Sequence, residues 1–98
     1  MTNRKDTAII TGASSGIGAI LADRLAKRGH DLILVARDEQ RLSAVATRIS
    51  NETGRSARLI VADLTKKGDL ETVEQILRND PNITVLVNNA GVGAQHLP

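Results

Sequence analysis

One stretch of this 98-residue chain has the residue types and spacing to hold phosphate: Thr11-Gly12-Ala13-Ser14-Ser15-Gly16-Ile17-Gly18, set between a short apolar run and an amphipathic one. Gly12 can take the backbone angles of a tight exit from a strand. Gly16 lets the main chain approach a bound pyrophosphate, and Gly18 lets the following helix pack close to the sheet. That helix, opening around Ile17, offers unpaired N–H groups and a partial positive charge at its N-terminus. Ser14 and Ser15 add hydroxyl donors. The spacing is G-x-x-x-G-x-G rather than G-x-G-x-x-G. The phosphate loop of nucleoside triphosphatases is excluded, because Ile17 stands five residues after Gly12 and no Gly-Lys-Ser/Thr follows. The alternative to a phosphate site is a glycine-rich strand-to-helix connection that binds nothing.

Other chemistry is thin. His30 falls in a turn and His96 in the tail, neither with a partner at useful spacing, and the acidic residues form no metal-ligand cluster. The chain has no Cys, which excludes disulfides, thiolate nucleophiles and Cys-ligated metals. It has no Phe, Trp or Tyr, so no phenol can act as acid or base and no ring can stack on a nucleobase. The net charge of +2 is scattered in ones and twos and names no nucleic-acid partner. The longest apolar run, Leu32 to Ala36, is five residues, far short of the ~18 of a membrane span. Arg4-Lys5 is followed only by Ala8, Ile9 and Ile10 before Gly12, too little for a secretory signal. The expectation is a soluble, cytoplasmic protein.

The elements that must position the glycine turn are written in the periodicity. Residues 7–11, 31–36, 58–62 and 83–87 are apolar nearly throughout and of strand length, which suggests strands buried on both faces. Between them, Ile17, Ile20, Leu21 and Leu25, then Leu42, Val45, Ala46 and Ile49, then Leu70, Val73, Ile76 and Leu77 each make one helical stripe. Gly29 and Gly54 stand where the first two helices should end, Asp38 can cap the second, and Asp80-Pro81-Asn82 stops the third. Strand and helix alternate four strands deep, which predicts an α/β domain with a parallel sheet, right-handed crossovers and helices on both faces. The core must come from Ile, Leu, Val and Ala. The pattern stops shortly after the fourth strand and reads as a partial domain occupying 1–98.

Two motifs in this order resemble those of the short-chain dehydrogenase/reductase family. Its T-G-x-x-x-G-x-G is matched by Thr11, Gly12, Gly16 and Gly18, and its N-N-A-G after the fourth strand by Asn88, Asn89, Ala90 and Gly91. The resemblance runs from Thr7 onward and implies a Rossmann-like fold, here truncated after the fourth strand, with a nicotinamide dinucleotide as cofactor. Where NAD-preferring members carry an acid at the end of the second strand, this chain has Ala36, followed by Arg37. A guanidinium can pair bidentately with a 2′-phosphate, which favours NADP over NAD. Many NADP-preferring relatives also carry a basic residue inside the glycine turn, where this chain has Ser14 and Ser15. By the same resemblance Asp63 and Leu64 lie beside the adenine; a turn or cap role for Asp63 is the other reading. Asn88 lines the ribose, and Ala90 and Gly91 let the cofactor lie close. The Asn88 and Asn89 amides can equally bridge neighbouring loops.

The family's hydride transfer uses a Tyr, a Lys four residues on, a Ser and a further Asn, all beyond the fourth strand. This chain has no Tyr, so no catalytic residue is assigned in it. The expectation is the NADP-binding half of an oxidoreductase that interconverts alcohols and carbonyls when complete. The family's strand order leaves residues 83–87 as an exposed apolar edge, open to self-association or to pairing with another chain. Two other readings are a non-catalytic nucleotide-binding or interaction module, including an inactive remnant of such an enzyme, and a flavodoxin-like receiver module. For the last, the chain lacks the cluster of acidic residues expected at the strand ends, and both glycine motifs are left unexplained.

Overall fold

Parallel strands need crossovers, and each apolar run here is followed by an amphipathic segment long enough to make one. The computed structural model describes residues 6–89. Along the chain it places β1 (Thr7–Thr11), α1 (Gly16–Lys27), β2 (Asp31–Ala36), α2 (Glu39–Thr53), β3 (Ala57–Val61), α3 (Lys67–Asn79) and β4 (Ile83–Asn88). The four strands form one sheet in the order β3-β2-β1-β4, every pair parallel. This is the Rossmann-like α/β architecture expected. β3 starts one residue earlier than the apolar run suggests, because Ala57 pairs with Leu32 in the ladder. β4 continues through Asn88, which pairs with Thr11.

Helices cover both faces. On one, Ala8, Ile10, Leu32 and Leu34 meet Ala22 and Ala26 of α1 and Leu42, Val45 and Ile49 of α2. The two alanines let α1 lie close to the sheet. On the other face Ile9, Ile33 and Val35 meet Val73, Ile76 and Leu77 of α3. Ile10, Leu34, Leu42 and Ile49 are wholly buried, and each contributes about 1.5–3 kcal/mol of transfer free energy. Burial on both faces holds for the two inner strands, β1 and β2. β3 and β4 are edges among the described residues, and Val61 and Leu86 remain 49% and 54% exposed.

Local chemistry ends the elements where expected. The Asp38 carboxylate accepts from the Arg41 N–H at 3.1 Å and caps α2. Gly54 closes that helix at φ 75°, a left-handed angle costly for any side chain. At the opposite end of the sheet, Asp31 Oδ1 accepts from Arg55 Nε and Nη2 (3.2 and 2.9 Å) and from the Ser56 N–H (3.1 Å), tying the start of β2 to the entry of β3. Among the described residues no helix is long and apolar enough to cross a membrane.

Candidate functional site

The carboxyl ends of the strands carry the site, and the glycine turn between β1 and α1 is its floor. Gly12 takes φ 65°, which turns the chain out of β1. A Cβ built on Gly18 would overlap the Gly12 carbonyl oxygen and stand 2.9 Å from Asn89 Nδ2 and 3.0 Å from Ala13 Cα. The close approach that demands glycine at 18 is therefore to the turn itself and to the loop after β4. Gly16 differs, since a Cβ there meets no atom within 4 Å. The N–H groups of Gly16 and Ile17, at the start of α1, have no partner among the described residues, which leaves two bare donors at the positive end of a helix.

Ser15 is the N-cap of α1. Its Oγ donates to the Gly12 carbonyl at 2.9 Å and accepts from the Gly18 N–H at 3.2 Å and from Asn89 Nδ2 at 3.0 Å. That exhausts one donor and two lone pairs, so a phosphate would have to displace one of these bonds to reach the hydroxyl. Ser14 has no partner among the described residues and lines the open side of the turn.

A hollow of about 800 Å³ opens beside the turn, within the range of small-molecule sites. Gly12, Ser14 and Ser15 form one wall, Val35 to Asp38 at the end of β2 a second, and Ala62 to Thr65 after β3 the third; Arg41 of α2 closes the rim. Arg37 is exposed and takes part in neither of the two ion pairs among the described residues, Lys27–Asp23 and Arg55–Asp31. Asp63 Oδ1 accepts from the Thr65 hydroxyl at 2.6 Å and from the Thr65 N–H at 3.0 Å, while the Asp63 N–H donates to Asp69 Oδ2 at 2.8 Å. The two Thr65 bonds, with smaller help from the Arg37 and Lys66 charges, hold the Asp63 carboxyl below the usual carboxylate range.

One hollow thus gathers Gly12, Ser14, Ser15, Arg37, Asp63 and Leu64, with Gly16, Ile17 and Gly18 in the adjoining first turn of α1. Asn88 stands apart at the end of β4, where its Oδ1 accepts from Thr11 Oγ1 at 3.1 Å. Its neighbour Asn89 makes the bridge between loops, with Nδ2 donating to the Gly12 carbonyl at 3.2 Å as well as to Ser15, and its N–H donating to Thr11 Oγ1 at 3.0 Å. Ala90, Gly91 and His96 lie outside the described residues. His30 lies at the far end of the sheet, where its Nδ1–H donates to the Asp6 carbonyl at 3.0 Å. Arg41 and Thr65 carry no motif signal; the trace of Arg41 in the sequence is its spacing of four from Arg37, across a helix cap. No cluster of metal-binding side chains occurs among the described residues.

Residues 6–97 match the family described as short chain dehydrogenase. The chain belongs to that family. It is 43% identical over 91 residues to the human 17-beta-hydroxysteroid dehydrogenase type 3, covering 93% of this chain and 29% of that one. Among solved structures, a short-chain dehydrogenase from Sphingobium yanoikuyae in complex with NADPH superposes with a TM-score of 0.85 at 56% identity, covering 88% of this chain and 34% of that one. The bulky-bulky ketone specific alcohol dehydrogenase from Comamonas testosteroni gives 0.84 at 54% identity, over 87% and 35%. The chain spans about a third of the length of these short-chain dehydrogenase relatives.

Proposed function

We propose that this chain is the NADP-binding part of a short-chain dehydrogenase/reductase. The observation that carries the reading is the pair Ala36-Arg37 at the end of β2, on the wall of the same hollow as the glycine turn. An acid at that place would accept from a ribose 2′-OH and repel a 2′-phosphate. Alanine there repels nothing, and the guanidinium beside it joins no close ion pair among the described residues. The residues fit a dinucleotide on structural grounds. Open space over Gly16 leaves room for a pyrophosphate against the backbone, the bare Gly16 and Ile17 amides suit its oxygens, and Asp63 and Leu64 wall the adenosine end.

NADP supplies the hydride acceptor, or as NADPH the donor. The chain's own residues bind and orient its adenosine and pyrophosphate end. In the complete enzyme the reaction is reversible oxidation of an alcohol or reduction of a carbonyl. The NADPH complex of the Sphingobium relative and the ketone specificity of the Comamonas one support both halves of this reading. The residues that move the proton are not assigned to this chain, which contains no tyrosine.

Titration of the folded chain with NADPH and NADH tests the proposal. Wild type should prefer NADPH, and Arg37→Asp should reverse the preference, with a loss in NADPH affinity of about a hundredfold from removing a charge-assisted pair and adding a repulsion. Equal discrimination in the two proteins would overturn it.

A further inference from the structure

We propose that Asp69 is a positioning residue that acts through Asp63, holding the turn after β3 in an arrangement that keeps one carboxylate oxygen ready for the amine of a bound base. The inference rests on the NADP reading and adds to it a residue that belongs to neither glycine motif and does not line the hollow.

An acid at the third position of a helix ordinarily reaches back to the N–H of the N-cap residue. In α3 the N-cap is Lys66, whose side chain makes no cap and whose N–H already donates to the Asp63 carbonyl at 2.9 Å. Asp69 reaches three residues further back. Its Oδ2 accepts from the Asp63 N–H at 2.8 Å, and it does so from the first turn of α3, where the helix dipole favours its charge. That helix is seated on the sheet through Val73, Ile76 and Leu77. The other groups that bind Asp63, from Thr65 and Lys66, belong to the turn itself. Asp69 alone ties it to α3.

These bonds engage the Asp63 N–H, its carbonyl and its Oδ1, and leave Oδ2 with no donor among the described residues, on a wall of the hollow. An amine arriving there meets an acceptor that is already oriented, so little conformational freedom is lost on binding. Leu64, the next residue, packs against the Ile9, Ile33 and Val35 face and lines the same wall. A shift of the turn therefore moves both. Removing the Asp69 carboxylate leaves the partly buried Asp63 N–H without its partner, and the turn must move to find another.

Calorimetric titration of the 98-residue chain with NADP and with its hypoxanthine analogue, in which a carbonyl oxygen replaces the adenine amine, reads the base apart from the phosphates. Wild type should prefer NADP about tenfold, the worth of one hydrogen bond to a charged acceptor. Asp69→Ala should weaken NADP about fivefold and leave the analogue nearly unchanged, cutting the preference to about twofold. Asp69→Asn keeps an oxygen that can accept from the Asp63 N–H, and should restore the preference. In an Asp63→Ala background the Asp69→Ala change should no longer alter the ratio, because the residue it acts through is gone. Circular dichroism checks the fold of each protein. Should Asp69→Ala not fold, Asp69→Ser, compatible with a helix start but too short to reach Asp63, is expected to show the same loss of preference.

If Asp69→Ala weakens both dinucleotides equally, its role is structural and the inference fails. If the ratio survives Asp69→Ala but not Asp63→Ala, Asp69 does not position the turn: the inference fails while the NADP reading stands. Folded wild type that binds both dinucleotides alike would overturn base recognition at Asp63 and this inference with it, and the comparison of NADPH with NADH would still decide the NADP reading.

Discussion

Asn89 Nδ2 sits 3.0 Å from Ser15 Oγ, joining the loop after β4 to the N-cap of α1 across 74 residues of sequence. The same amide nitrogen donates to the Gly12 carbonyl at 3.2 Å, so one side chain holds both ends of the glycine turn. The loop after the fourth strand thus braces the turn beside the local Ser15 bonds to the Gly12 carbonyl. Asn89→Ala should therefore cost about 1 kcal/mol in urea unfolding, the worth of one partly buried bond and one exposed one, and should lower 2′,5′-ADP affinity several-fold. Asn89→Asp should be worse than Ala, because it sets a carboxylate oxygen against the Gly12 carbonyl. Unchanged melts and affinity in both variants would mean that the bridge does not shape the turn.

Gly16 and Gly18 share a motif but answer to different neighbours, and their alanine variants should part accordingly. At 18 the new Cβ meets the backbone of Gly12 and Ala13, which has little room to yield, and overpacking of that kind costs about 1–3 kcal/mol. At 16 it meets open space in the first turn of α1, where alanine should be neutral or stabilising by about 0.5 kcal/mol. Gly16→Ala should instead show itself in binding, by occupying room kept for the pyrophosphate. Thermal melts beside nucleotide titrations read the contrast. A Gly16→Ala protein with undiminished affinity would remove Gly16 from the site.

Asp63 gives the acid limb of the stability curve a specific cause. Its folded carboxyl titrates below the usual range because the Thr65 hydroxyl and N–H both donate to it. In the unfolded chain those bonds are gone, so the unfolded state binds the proton first as pH falls. The contribution is fully present above the ordinary aspartate value of about 4. It is lost as pH drops through the lower folded value. Thr65→Val removes the stronger bond, and its deficit against wild type should be constant near neutrality and shrink from about pH 4 downward. Urea melts from about pH 6 to about pH 2.5 would measure it. A deficit that does not change over that span would detach the effect from Asp63.

What could be read from spacing was whatever a residue does to its own neighbourhood. The Asp38 cap, the Gly54 stop and the left-handed Gly12 are satisfied within a few residues of themselves, so their signals are local and survive in the sequence. The faces of the sheet followed from the helical stripes for the same reason. Partners that meet only after the sheet has formed left no such trace. Ser15 reads as a free hydroxyl until Asn89 arrives to fill its last lone pair. Arg41 reads as one more charge on a helix until the hollow shows it on the same rim as Arg37. The apolar runs of β2 and β4 look alike, yet one is buried at the centre and the other alternates half-buried with exposed residues. That difference belongs to strand order, which no single run encodes.

β4 bears a last consequence of that order. Among the described residues it pairs only with β1, its six residues carry no charge, and Leu86 is 54% exposed. An uncharged, apolar edge with a free row of N–H and C=O groups is a template for another strand. The 98-residue chain on its own is therefore expected to associate, eluting from a sizing column as larger species whose share grows with concentration. Leu86→Lys places a charge on that strand without touching the ladder to β1, and should move the population toward monomer while leaving the circular dichroism unchanged. The substitution is remote from Gly12 and Arg37, so nucleotide affinity per folded chain should not fall. A wild-type chain that stays monomeric and melts sharply at high concentration would show that the edge is already satisfied within the chain.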